Sequence, residues 1–201
     1  MVVETKLKKI EEFLFKIALE IAKDGEGALF VIGDDIKYSK LMNQRFDDFS
    51  VFSKGANKII KSLAVIDGAV IISKDGNVID YGAMIKGAKP FVGYGTRHAA
   101  AITASKNNNI AILCSEEERK VKVFKNGKYV MQLDSLEKNI HQDVSQAAGI
   151  LESVGVGTLS TIGVATLAPT LGFALIPGIL VFGGSYYTIK KLSKIHFKKK
   201  K

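Results

Sequence analysis

Lys74-Asp75-Gly76-Asn77 and Asn126-Gly127 each stand between two short runs of β-prone residues. Asx-Gly in that setting is a strong signal for a tight β-hairpin, because glycine and Asn adopt the positive φ such turns require. The flanking runs are 70–73 with 78–81, and 121–124 with 129–131. Asp75 therefore reads as a turn residue and not as a catalytic one. Two antiparallel hairpins exclude an all-helical fold and a purely parallel sheet, so whatever helices the chain contains must pack on a mixed or antiparallel sheet.

Helical signals surround these hairpins. Leu7, Ile10, Leu14, Ile17 and Ile21 recur at helical spacing within residues 4–23, with lysines and glutamates between them, and Asp24-Gly25-Glu26-Gly27 ends the pattern. Residues 28–32 form a short apolar run bounded by Gly33-Asp34-Asp35, which reads as a buried strand. No period emerges between Ile36 and Lys54, and no element is assigned there. Residues 57–64 read as a short helix and 96–105 as an alanine-rich one with Thr96 as its cap. Residues 110–114 read as a strand buried on both faces. Asp134 and Glu137 have capping-box spacing for a helix running to about residue 151.

The resulting fold class is α/β, with a mixed central sheet flanked by helices and followed by an apolar C-terminal helical segment. The boundaries are an amphipathic helix over 1–23, a main domain over 24–134, a connecting helix over 135–152, a glycine-rich apolar segment over 153–189 and a basic tail over 190–201.

Charge bears on partners only through its location. The net charge is +9, yet seven of the 29 basic residues are lysines between 190 and 201, which leaves 22 basic against 20 acidic residues elsewhere. A basic tail after an uncharged apolar segment reads as the cytoplasmic flank of a membrane anchor, so nucleic acid is not an expected partner. Residues 153–189 carry no charge and are long enough for one tilted span or, kinked or divided at Pro169 and Pro177, for a hairpin of two short helices turning near Pro169, with a soluble helical pair buried against a partner chain as the alternative. The first ten residues lack a signal-peptide core, so a retained cytoplasmic domain held at the membrane is expected. Cys114 is the single cysteine, and His98, His141 and His196 lie far apart, which argues against a disulfide framework or a histidine zinc site.

Two segments carry the chemistry. Gly93-Tyr94-Gly95-Thr96-Arg97-His98 opens a helix-like run, where glycines permit a tight turn and first-turn amides point outward. An arginine and a histidine in that turn suit a phosphate. Asp67-Gly68-Ala69 opens an apolar run and places a carboxylate beside two small residues.

At Asp67-Gly68-Ala69, Gly95-Thr96-Arg97-His98 and Ser115-Glu116-Glu117, in that order and spacing, the chain resembles the diadenylate cyclase domain, the DisA N-terminal or DAC family. The resemblance spans residues 24–134, with 27–32 similar to the family's first strand. It implies condensation of two ATP molecules into cyclic di-AMP with release of pyrophosphate, between two facing domains, with Mg²⁺ or Mn²⁺ as cofactor. It implies that Asp67 binds the metal or orients the attacking hydroxyl, and that Gly68 and Ala69 admit the nucleotide closely. It implies further that Gly95, Thr96, Arg97 and His98 hold the triphosphate, and that Ser115, Glu116 and Glu117 approach ribose, metal or phosphates, with Glu117 counted among the catalytic residues. Met84 and Ile85 would bracket the adenine. The family commonly has a second arginine after the histidine, where this chain has Ala99, and Lys86 or Lys89 could compensate. Two further readings stand beside this one: a membrane-anchored sensor that binds ATP or cyclic di-AMP with little turnover, and a membrane assembly protein using the glycine-rich segment.

Overall fold

The computed structural model describes residues 5–43, 46–89, 95–154 and 173–182. Helix α1, Lys6–Asp24, starts where Thr5 Oγ1 accepts a hydrogen bond from Lys8 N at 3.1 Å. It stops at Gly25, whose φ of 78° lets its N–H turn back to the carbonyls of Ala22 and Ile21. The apolar stripe seen in the sequence is buried, with Ile10, Leu14, Phe15, Ala18, Leu19, Ile21 and Ala22 all inaccessible. The helix is therefore part of the main core and not an appendage to it.

The chain continues through β1 (Ala28–Ile32), β2 (Tyr38–Lys40), β3 (Phe49–Ser50), α2 (Ala56–Ala64), β4 (Ala69–Ile72), β5 (Asn77–Ile85), α3 (Thr96–Ala104), β6 (Ile110–Ser115), β7 (Lys120–Lys125), β8 (Lys128–Asp134), α4 (Val144–Val154), β9 (Phe173–Ile176) and β10 (Ile179–Val181). All described strands join one sheet in the order β2-β5-β4-β1-β6-β7-β8-β10-β9, with β3 also on β5. β1 and β4 run parallel, and the other described pairs are antiparallel. Both expected hairpins are present, and Asn126 and Gly127 adopt φ of 53° and 70° as the second one requires.

Alternation along each strand assigns the two faces of the sheet. Ala28, Phe30 and Ile32 of β1 share a core with α1, α2 and α4, while Leu29 and Val31 share the opposite one with Ala101 and Ala104 of α3. Cys114 faces α1, where its Sγ donates to Ala18 O at 3.4 Å; burial raises its thiol pKa, which makes it a packing residue.

Three expectations change in the structure. The stretch between Ile36 and Lys54 contributes β2 and β3, whose two or three residues are too few to show a period. Asp134 ends β8, and its Oδ1 accepts from Leu136 N at 3.0 Å in a turn, so the connecting helix begins at Val144 and the capping-box spacing is coincidental. The helix expected across 153–189 is replaced at residues 173–181 by the β9–β10 hairpin, turning at Gly178 with φ of 81°. β10 pairs with β8 from Ile179 to Val181, which satisfies backbone groups that β8 would otherwise expose at an edge. Phe182 then stacks on Tyr129 with ring centroids 4.6 Å apart. Among the described residues no helix is long and apolar enough to cross a membrane. Residues 155–172, including the proposed division at Pro169, and 183–201, including the basic tail, lie outside the described residues.

One buried group sets an acid-base expectation for the α1–α4 contact. Glu11 is fully buried, and neither of its carboxylate oxygens has a hydrogen-bond partner among the described residues. Burial, reinforced by Glu152 and Glu12 and opposed by Lys125 and Lys8, pushes its carboxyl up to about 8. The folded protein holds this proton where the unfolded chain, at 4.5, has lost it, so stability falls as pH rises from about 4.5 through 8. The full shift corresponds to a ceiling on the order of 5 kcal/mol. Denaturant melts of the parent and Glu11→Gln at pH 5 and pH 9 check this. The parent is expected to lose stability between the two, and the variant to lose less; equal losses refute it.

Candidate active site

Strand direction brings three distant segments to one end of the sheet. β1 and β4 run parallel, so Gly27 before β1 and Asp67 just before β4 lie at the same end. β6 runs opposite to β1, so its last residue Ser115 and the turn that follows arrive there too. The N-terminus of α3 sits over this end. A polar cleft of about 610 Å³ is lined there by Asp67, Gly95, Thr96, Arg97, His98, Ser115, Glu116 and Glu117, among others. A second cavity of about 200 Å³ adjoins it, lined by Leu29, Gly68, Ala83, Met84, Ile85, Ala99 and Ala100 and sharing Asp67, Thr96 and Arg97 with the first. One hollow is apolar and the other is polar. They meet at a carboxylate and a guanidinium.

Asp67 keeps 70% of its side chain exposed, and its Oδ1 accepts from Gly68 N at 3.0 Å. Gly68 cannot be replaced by a larger residue without distortion, because its φ is 97° and a Cβ would lie 2.6 Å from the Gly82 carbonyl carbon. Its close approach to β5 places Asp67 beside Ala83 and Met84. Ala69, the first residue of β4, is buried opposite Ala83 of β5. Arg97 lies between two acids, with Nη2 3.9 Å from Asp67 Oδ1 and Nη1 4.0 Å from Glu116 Oε2. Thus Glu116 faces Arg97, while Glu117 is exposed and lines the cleft. Ser115 is nearly buried, and its Oγ accepts from Glu118 N at 3.4 Å.

Thr96 is not the cap that the sequence suggests. It is the first helical residue, and the cap is the extended Gly95, which makes no side-chain cap bond. Thr96 and Arg97, as at any helix start, have no preceding turn to take their amides, whereas His98 N already donates to Gly95 O at 3.1 Å. Gly93 and Tyr94 lie outside the described residues. Ala99 is buried and lines the apolar cavity, so a long cationic chain from that position would start in the apolar hollow. Lys86 lines a separate hollow with Lys37 and Lys106, and neither it nor Lys89 is among the residues lining the polar cleft.

Two residues escape the sequence reading. Gly27 is buried, and a Cβ on it would fall 2.3 Å from Arg97 Nη1 and 3.5 Å from Glu116 Oε2. Its missing side chain is the space that the guanidinium occupies. Lys122 of β7 is 2% exposed, with Nζ 2.6 Å from Glu118 Oε1 and 3.3 Å from His98 Nε2. The one sequence signal for it is parity: Lys122 shares a strand face with Phe124, which is core.

An apolar hollow joined to a polar, helix-capped cleft is the architecture of a nucleotide-binding α/β domain. The family described as "DisA bacterial checkpoint controller nucleotide-binding", DAC, matches residues 17–129, and this chain belongs to it. A protein of Methanocaldococcus jannaschii named diadenylate cyclase is 34% identical over 146 residues, covering 65% of this chain and 47% of that protein. One of Haloferax volcanii with the same name is 30% identical over 140 residues, covering 60% and 51%. The chain thus spans about half the length of these relatives. Among solved structures, a double mutant of DacA from Staphylococcus aureus aligns with TM-score 0.44 at 20% identity, covering 60% of this chain and 84% of that one. A hypothetical membrane spanning protein from Bacillus cereus aligns with TM-score 0.43 at 20% identity, covering 58% and 60%.

Proposed function

We propose that this chain condenses two ATP molecules into cyclic di-AMP and pyrophosphate. The observation that carries this reading is the junction of the two hollows at Asp67 and Arg97, in a chain whose family binds nucleotides and whose named relatives are diadenylate cyclases. The apolar hollow suits an adenine, with Met84 and Ile85 on one wall. The polar cleft suits a triphosphate, held by the α3 amides and Arg97, with Thr96, His98 and Ser115 as hydrogen-bonding groups. Asp67, at the junction, stands where a ribose would link the two.

In each half-reaction the 3′-oxygen of one ATP bonds to the α-phosphorus of the other. The bond from that phosphorus to the α–β bridging oxygen breaks, pyrophosphate leaves with the electron pair, and the hydroxyl proton passes to solvent at the open side of the cleft. Asp67 orients this hydroxyl, and Arg97 balances charge growing on the phosphates. The exposed Asp67 side opens to solvent, and in this reading two chains, each holding one ATP, face each other there to bring the hydroxyl of one nucleotide to the phosphorus of the next. A divalent cation fits the donor set. Among the described residues no three His, Cys, Asp or Glu side chains form a metal cage, but a single hard carboxylate, Asp67, together with substrate phosphates is what Mg²⁺ or Mn²⁺ commonly takes. Bound there, it would shield the triphosphates and acidify the hydroxyl.

Incubating the full chain with ATP and Mg²⁺ or Mn²⁺ over a range of protein concentrations, with products separated by mass, tests this. Cyclic di-AMP is expected to grow faster than linearly with protein. Bound but unchanged ATP at every concentration overturns the cyclase reading in favour of a binding module.

A further inference from the structure

Behind the polar cleft sits an enclosed cation. Lys122 is 2% exposed, and lysine is seldom enclosed unless it is paired. Its partner is Glu118, at 2.6 Å, a distance typical of a charge-assisted hydrogen bond, so the amine is held as an ammonium. The same nitrogen lies 3.3 Å from His98 Nε2. An ammonium has hydrogens to give and no lone pair to receive one. At this contact His98 Nε2 must be the acceptor.

That fixes the state of the ring. A neutral imidazole carries one N–H, so if Nε2 offers its lone pair the proton is on Nδ1. A doubly protonated ring would set an Nε2–H against the ammonium, two donors and two positive charges in a place with little water. The acids of the cleft, Asp67, Glu116, Glu117 and Glu118, favour a charged ring, but of these Glu118 is already engaged by Lys122.

We propose that Lys122 is a positioning residue that holds His98 as the neutral Nδ1–H tautomer, with Glu118 anchoring Lys122 in turn. With its ring proton on Nδ1 and its Nε2 lone pair engaged by Lys122, His98 offers no base at Nε2. Positive charge stands on both sides of the ring, from Arg97, its neighbour in the chain, and from Lys122 behind it. The consequence for turnover rests on the cyclase reading. The tautomer does not.

The test is therefore spectroscopic first. In the full chain with ¹⁵N-labelled histidine, the His98 ring is identified by the signals missing from His98→Asn. At neutral pH its ring nitrogens are expected to show a proton on Nδ1 and a bare Nε2. Lys122→Arg, which keeps a cationic donor, should preserve this state, and Lys122→Met should lose it. A proton on Nε2, or a doubly protonated ring, in the parent overturns the proposal even if no variant folds. Ring signals identical in the parent and a folded Lys122→Met also overturn it. In the turnover assay Lys122→Met is expected to lower kcat about 10- to 100-fold, as loss of a group orienting a histidine commonly does, with KM for ATP little changed and partial rescue by Lys122→Arg. A chain that forms no cyclic product but shows the Nδ1–H ring sinks the cyclase reading alone.

Discussion

Gly27→Ala is expected to lower cyclic di-AMP formation about 100-fold while leaving the melting temperature almost unchanged. The added methyl would sit 2.3 Å from Arg97 Nη1, far inside van der Waals contact, so the guanidinium must leave its place between Asp67 and Glu116. The fold bears little of this cost. The colliding atoms are the far end of a flexible side chain, and no positive φ holds Gly27 to glycine. An arginine displaced from the cleft can no longer meet charge that develops on the phosphates, and that charge is where a fixed cation acts on rate. The decisive comparison is a double-mutant cycle. In an Arg97→Ala background the extra methyl has nothing to displace, so Gly27→Ala should cost almost nothing further. A second 100-fold loss there would show that Gly27 acts by some other route.

Asp67→Asn is expected to reduce product by a factor of about 10² to 10⁴, the range usual for loss of a group that assists a reacting hydroxyl. The amide oxygen can still accept from Gly68 N, a contact now at 3.0 Å, so the turn into β4 survives and circular dichroism and melting should match the parent. ATP binding should persist within a few-fold, because the α3 amides and Arg97 are unchanged and one negative charge near a triphosphate has been removed. A variant that still forms cyclic di-AMP at the parental rate would remove Asp67 from the mechanism. One that no longer binds ATP would make it a nucleotide anchor.

The two effects differ in how visible they are before folding. Asp67 stands in Asp67-Gly68-Ala69, a triplet whose small neighbours and position ahead of an apolar run mark it. Gly27 has no mark. It follows Asp24-Gly25-Glu26 and reads as the tail of a helix stop, and its job exists because Arg97, 70 residues further on, is folded back over it. Lys122 is similar. Within Lys120-Val121-Lys122-Val123 it looks like one of two solvent-facing lysines, and only α3 packed across that face encloses it. Ala99 is a case where the sequence shows the residue but not its surroundings: it stands next to Arg97 and His98 in the chain, and the helix turns it toward the apolar hollow.

Sequence alone determined the parts whose physics is local. The hairpins at Asp75-Gly76 and Asn126-Gly127 follow from which residues tolerate positive φ, α1 follows from an apolar stripe at helical spacing, and the β-α alternation follows from both. Tertiary structure decided what depends on strand order. The apolar run at 173–181 is a sheet edge and not a membrane helix because β8 offers an unpaired edge for it. Asp134 closes a turn because β8 ends there. The seat of Arg97 and the enclosure of Lys122 arise where β1, β6, β7 and α3 converge, segments that no periodicity or spacing within the chain could have placed side by side.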